Sequence, residues 1–418
     1  MRRRLTGLWR HADFMKLWAG QTISLLGSSI TMLALPLTAV LVLEATPAQM
    51  GILEAVGALP SLLLGLFAGA WADRHRRRPI LIAADVGRAV LIGLIPLATL
   101  LNLLRMEHLY LVSFLASTLG LFFGVAYGPF TLSLIGRERL VEGNSKLAMG
   151  RSAAEIAGPG LAGGLVQLIT APMAIVLDAL SFLASGLFLG LIRMPEPAPA
   201  PAEGRQNIWR EMGEGLGLVA GHPLLRSIAG CFGTVSLFNS ALEAVLLLYL
   251  TRELGIKAGL VGLIFAIGNV GFLAGAFLPE RAACRLGLGP AIIGGLLAAA
   301  LSDLLIPLAA GPTVLVIGIL LVAQFLFGLG LTVFSVGQVS VRQAATPDHL
   351  QGRMNATIGF VAAGLMPIGA LLGGGLGQTL GLRPALFLAA LGEICSVVWL
   401  LFSPLRSLRE QAEVGRHA

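Results

Sequence analysis

Seven carboxylates interrupt otherwise apolar stretches of this chain: Glu54, Asp85, Glu155, Asp178, Glu243, Asp303 and Glu393. A carboxylate in a nonpolar setting can exchange a proton, pair with a base or hold a cation. Asp85 has Arg88 three residues on, and Arg151 precedes Glu155 by four, so each couple shares a helix face and is expected to pair. Glu243 stands apart, because Ser236, Ser240 and Glu243 fall on one helical face with no Lys or Arg within a turn. That isolation makes Glu243 the first candidate for reversible protonation and Glu155 the second. Asp178 and Glu393 are equally isolated, while Glu54 and Asp303 lie near segment ends where water is within reach.

A second constellation is the stretch GAWADRHRRRPI, from Gly69 to Ile80, in which four arginines, a histidine and Asp73 crowd between two apolar runs. Such a cluster is a solvated loop, a topology signal or a latch for a neighbouring helix. The surrounding elements decide which of these applies. Of 418 residues, 56% are hydrophobic and 12% charged, with mean hydropathy +0.85. Soluble domains carry about 25% charged residues, so a bilayer is the expected solvent. The net charge of +7 does not point to nucleic acid, because the arginines are scattered in short clusters rather than gathered on one face.

Spanning a bilayer takes about 20 mostly apolar residues, and twelve runs qualify. The first half holds 17–43, 49–71, 79–101, 109–134, 146–169 and 173–193; the second holds 224–250, 259–279, 288–309, 313–341, 354–380 and 385–403. The first run is too long for the apolar core of a signal peptide, about 7–15 residues. Between the sixth and seventh runs lies PEPAPAPAEGRQ, which reads as a linker. The expected organisation is therefore an all-α membrane protein with a six-helix bundle over 1–193, a linker over 194–222 and a second bundle over 223–418.

An even number of spans puts both termini on one side. Of 29 Lys and Arg, only Arg105, Arg252, Lys257 and Arg383 then fall in the loops of the opposite side; Arg88 and Arg151 lie within runs, leaving 23 with the termini. Positive charge is retained inside, so both termini are expected in the cytoplasm. The halves also echo one another: GAWADR at Gly69 matches GAFLPER at Gly275, and GPGLAGG around Pro159 matches PIGALLGGG around Pro367, an offset of about 207 residues. Parallel repeats of this kind place a substrate site near the midplane.

With these residues in view, the chain resembles the major facilitator superfamily over nearly its whole length. The family's loop motif, Gly-x-x-x-Asp-Arg-x-x-Arg-Arg, is matched by Gly69, Asp73, Arg74, Arg77 and Arg78. The segments DFMKLWAGQTISLLGS, VLDALSFL and GLMPIGALLGG are similar to the branch of enterobactin exporters and macrolide efflux proteins. The fifth-helix motif of drug antiporters is matched at Gly158, Pro159 and Gly163, with Ser145, Ala154 and Ala162 where that motif has glycine.

The resemblance implies that Asp73 meets the start of the eleventh run, near Arg353, as a latch that opens with the cytoplasmic side. It also implies that the first, fourth, seventh and tenth helices line the cavity. On those helices lie polar stripes: Gln21, Ser24, Ser28 and Thr31; Ser117 and Tyr127; Ser236 and Ser240; Gln324, Ser335 and Gln338. Each stripe taken alone fits helix–helix hydrogen bonding equally well.

The implied function is secondary active transport, with protons, a small-molecule substrate and the lipid bilayer as partners, and a monomer as the working unit. Drug, macrolide and siderophore export are the leading substrates; a lipid or lysolipid facilitator and a non-transporting receptor of the same fold are the alternatives. No enzyme activity, cofactor or metal is expected: no Gly-Lys phosphate loop, His-Glu-x-x-His or Gly-x-Ser-x-Gly occurs, and Cys231, Cys284 and Cys395 have no paired spacing. The charge asymmetry makes a direct prediction. In a cysteine-free background, cysteines introduced at Glu107 and Thr170 will react with a membrane-impermeant maleimide added outside intact cells; labelling only in inverted vesicles would reverse the topology.

Overall fold

The structure, a computed structural model, describes residues 7–72, 74–194, 196 and 208–408. These form fourteen α-helices and no strand. The first six are α1 Ala12–Leu41, α2 Pro47–Ala72, α3 Arg77–Leu100, α4 Met106–Ile135, α5 Leu140–Ile169 and α6 Ala171–Gly190. After them come α7 Ile208–Gly221, α8 Pro223–Leu248, α9 Ala258–Gly275, α10 Pro279–Leu286, α11 Leu288–Leu308, α12 Thr313–Ala344, α13 Gln351–Leu380 and α14 Leu382–Leu401. Hydrocarbon offers no partners to backbone amides, so apolar runs of this length close their hydrogen bonds internally as helices.

Eleven of the described helices are long and apolar enough to cross a membrane. The expected twelfth, α5, has the length at 30 residues but carries Glu142, Lys146, Arg151 and Glu155 along its first half. The short helices α7 and α10 are additions to the twelve. Of the expected linker, Ile208–Gly221 is helical as α7 and 197–207 lies outside the described residues.

Local signals account for several ends. Thr46 and Gln49 form a reciprocal cap at the start of α2, with Thr46 N–H donating to Gln49 Oε1 at 2.8 Å and Gln49 N–H to Thr46 Oγ1 at 3.3 Å. The turn after α13 uses Gly381 at φ 94°, whereas the equivalent turn after α5 holds Thr170 at φ 84°, a conformation a threonine adopts only when its surroundings impose it.

The chain divides into two compact units. The first comprises 1–45, 56–205 and 257–263; the second comprises 46–55, 206–256 and 264–418. In the first, α1 packs on α5 and α6, and α3 packs on α4 and α6. In the second, α8 packs on α13 and α14, and α11 packs on α12 and α14. Counting spans within each half, the pairing scheme is identical, which is the sequence repeat expressed as packing. The repeats differ after their matching glycines: α2 continues to Ala72 and α3 follows at Arg77, whereas α9 stops at Gly275 and the amphipathic helix α10 fills the gap before α11.

The first core gathers Phe14, Leu17, Leu81, Phe123, Phe130 and Leu189; the second gathers Leu225, Ile228, Phe334, Met354 and Leu400. Without a hydrophobic drive between helices in lipid, close contact rests on small residues. On α13, a Cβ at Gly369 would sit 1.9 Å from the Leu237 carbonyl oxygen of α8, and one at Gly373 would sit 2.0 Å from that of Ala241. Backbone cannot yield as a side chain can, so Gly369→Val will force α13 off α8 and lower the detergent melting temperature, at a cost of about 1–3 kcal/mol or more. Gly375→Ala, with nothing within 4 Å of its Cβ, is the control and will leave melting unchanged.

Candidate functional site

The basic loop between α2 and α3 is held by the end of α6 and the segment that follows it. Arg78 does not point at solvent: its Nε donates to the Leu189 carbonyl at 2.9 Å and its Nη2 to that of Gly190 at 2.6 Å, closing the carbonyl end of α6. The backbone N–H groups of Arg77 and Arg78 donate to the carboxylate of Glu196 at 2.5 and 3.1 Å. A negative charge thereby sits on the positive end of α3.

Asp13 of α1 accepts from the N–H groups of Arg193 and Met194 at 3.2 and 3.1 Å, and Lys16 donates to the Leu191 carbonyl at 2.8 Å. Arg78 and Glu196 thus tie α3 to the exit of α6, and Asp13 and Lys16 tie α1 to the same exit. His75 stacks on Trp71 at 4.3 Å beside them, and Arg74 is exposed. Gly69 lies on α2, and a Cβ there would meet nothing within 4 Å.

Asp73 lies outside the described residues. Arg353, expected as its counterpart, donates to the carboxylate of Glu214 on α7. Gly215 lies against Arg353 as well, since a Cβ there would meet its carbonyl oxygen at 2.9 Å. The helical part of the linker is therefore docked on the first turn of α13. Nothing in the sequence flagged Glu196 or Glu214, because their helical partners lie more than a hundred residues away. Asp13 and Lys16 did carry a signal, an i,i+3 couple just ahead of the first apolar run.

At the base of α5, Glu142 accepts from Lys146 and, at 2.8 Å, from the Leu8 N–H. Those donors, Lys146 first, hold the Glu142 carboxyl below its ordinary range. This tie therefore contributes at neutral pH and is lost as pH falls through that lowered value. Higher on α5, a Cβ at Gly158 would lie 2.3 Å from Ser29 Cβ on α1, and one at Gly163 would lie 2.5 Å from the Ala258 carbonyl oxygen. Pro159 closes the same seam, its carbonyl oxygen standing 2.3 Å from a Cβ at Gly262. The fifth-helix motif thus gives α5 backbone-close contact on two sides, which the small substitutes Ala154 and Ala162, both buried, preserve.

Within the first unit the expected Asp85–Arg88 pair is present at 2.5 Å. The Arg88 guanidinium stacks over Phe123 at 4.6 Å and Phe182 at 4.2 Å. Asp178 is not isolated, contrary to the sequence expectation: Ser181 Oγ donates to it at 3.0 Å, and Arg88 lies within its electrostatic reach. Gly27 on α1 makes room for this group, because a Cβ there would strike Ser181 Oγ at 2.1 Å and Asp178 Oδ1 at 2.6 Å. The stripe residues divide by burial. Ser24, Ser240, Gln324 and Gln338 are buried, whereas Gln21, Ser28, Thr31, Ser117, Tyr127, Ser236 and Ser335 are half-buried. Gln324 presents Oε1 to Gly268 of α9, where a Cβ would stand 3.2 Å away. Glu155 and Arg151 are exposed on α5.

The second unit is built differently. Glu243 of α8 is exposed, with Glu54 and Glu393 as its charged neighbours. Asp303 of α11 is 2% exposed rather than within reach of headgroup water, and Glu393 of α14 is 0% exposed. Their carboxyl groups face each other within hydrogen-bonding reach. The sequence reading of Glu393 as isolated missed this because its partner is ninety residues upstream. Among the described residues no group of three His, Cys, Asp or Glu is arranged to hold a metal ion.

A family model described as a transmembrane secretion effector, within the major facilitator superfamily, matches residues 7–417. The chain belongs to this family. The multidrug efflux pump Tap of Mycolicibacterium fortuitum is 26% identical over 394 residues, 91% of this chain and 93% of that protein. Macrolide efflux protein A of Streptococcus pyogenes is 24% identical, over 94% of this chain and 97% of its own.

Among solved structures, an inward-facing bacterial homologue of the iron transporter ferroportin superposes with TM-score 0.76 at 19% identity, over 96% of this chain and all of that one. The nucleoside transporter NupG gives 0.76 at 12% identity, over 93% and 98%. As a member of this family, the chain is a multi-pass membrane transporter with the major facilitator fold, and not an enzyme.

The α3 cap is open to test. Glu196→Gln will remove the charge facing the start of α3, costing about 0.5–2 kcal/mol, and amide exchange in a peptide covering 74–80 will quicken several-fold. Unchanged exchange would mean that Glu196 does not hold the loop.

Proposed function

We propose that the protein is a secondary active exporter of an amphipathic small molecule of the drug, macrolide or siderophore class, driven by proton entry across the cell membrane. The observation that carries this reading is Glu243: an exposed carboxylate deep in a spanning helix, with no base near it and only other acids as charged neighbours. An intramembrane acid without a counter-charge is a functional group by default, because leaving it ionised there costs roughly 2.5–3.5 kcal/mol even on insertion scales. Efflux in the names of the two relatives supports the direction. One proton moving down about 100 mV supplies about 2.3 kcal/mol, enough to hold a substantial substrate gradient. In the same reading Asp73 latches against the start of α13 when the cytoplasmic side is closed, and both termini are cytoplasmic.

The test uses proteoliposomes with an imposed pH gradient and a macrolide panel. Glu243→Gln keeps size and hydrogen bonding but cannot cycle a proton, so substrate binding will persist while uphill accumulation fails. If the variant still accumulates substrate with the wild-type pH dependence, Glu243 is not the coupling group and Glu155 is next.

A further inference from the structure

Four carboxylates of the second unit, Glu54, Glu243, Asp303 and Glu393, are charged neighbours of one another with no base among them. The faces packed around Glu393 can be followed helix by helix. From α8 come Cys231, fully buried, and Glu243. From α11 comes Asp303. From α13 comes no titratable group at this level, since its sole one is Arg353 in the first turn. On α14 itself, Arg383 is ten residues from Glu393, about 15 Å along the helix, and its Nε is engaged at 2.6 Å by the Pro307 carbonyl.

Three buried carboxyl oxygens, Asp303 Oδ2 and both of Glu393, have no donor from any other group. Ser396, one turn along α14 and 0% exposed, lies beside Cys231 of α8. The walls are dry: Leu296, Ala299, Ala300 and Ala390 are 0% exposed, and the Phe238 ring lies against Gly392.

Two carboxyl groups in contact inside a low-dielectric wall cannot both be ionised, since each buried charge costs several kcal/mol and like charges add to it. A carboxylic acid donating to a carboxylate satisfies two of the orphaned oxygens at once and leaves a single negative charge. We propose that Asp303 and Glu393 share one proton and form a second protonation site behind Glu243, reached from solvent through Glu243. An arriving proton binds the Glu243 carboxylate. It can then pass to the pair, which becomes two neutral carboxylic acids, while Glu243 returns to carboxylate. Glu243 is the member of this trio open to solvent, so it is the port and the pair is the store.

The proposal rests on the proton-coupling reading, but its test needs no substrate. Infrared spectra of purified protein at neutral pH, in H2O and D2O, will show the broad continuum absorption of a proton shared between carboxyl groups. Glu243→Gln will retain that absorption. Asp303→Asn and Glu393→Gln will each abolish it, and the double variant will take up fewer protons than wild type on titration from pH 9 to 5.

Absence of the continuum in wild type, or its survival in both single variants, overturns the shared proton. Its replacement by added sodium at constant pH overturns it too, in favour of a cation site. The wild-type spectrum decides alone if a variant does not fold. A Glu243→Gln protein that still pumps but keeps the continuum defeats the coupling role of Glu243 and leaves the pair standing. Loss of pumping without any continuum does the reverse.

Discussion

The constraint on which everything else depends is that a polar group inside hydrocarbon has no water to fall back on. It makes each long apolar run a helix, because only there are all backbone amides satisfied. It sets how the helices touch, because association in lipid depends on close backbone approach: Gly158 against Ser29, Gly163 against Ala258 and Gly369 against Leu237 are the places where a side chain has been given up for contact. It also makes every buried charge a feature needing an explanation.

The two units answer that last demand in opposite ways. In the first, Arg88 lies between the electrostatic demands of Asp85 and Asp178, stacked on two phenylalanine rings, and Ser181 supplies a further donor. That arrangement is self-contained. In the second, Glu243, Asp303 and Glu393 have only other carboxylates as charged neighbours.

The end of the first unit near the basic loop shows a different economy. Arginines that are partly a topology signal also do structural work: Arg78 closes the carbonyl end of α6, and Glu196 closes the amide end of α3. Glu214 on α7 engages Arg353 in the second unit, so the segment joining the halves is tied down at both of its described ends. Cargo-driven motion would have to work against these ties or carry them along as rigid parts.

Hydropathy and the internal echo were enough to read the membrane class, the long apolar runs and the repeat, since these depend on composition and period along the chain, while the resemblance to the superfamily rested on the motif residues Gly69, Arg74, Arg77 and Arg78. The Asp85–Arg88 pair was legible for the same reason: its partners are three residues apart. Contacts whose spacing is long in sequence were not. Asp303 and Glu393 looked like a headgroup-facing acid and an isolated one, and Asp178 like another. Only the packing of α11 on α14 and of α6 on α1 and α3 brings each to its neighbour. Whether a carboxylate in a helix is paired, shared or open depends on which faces of which helices meet, and helical periodicity carries no information about the partner helix.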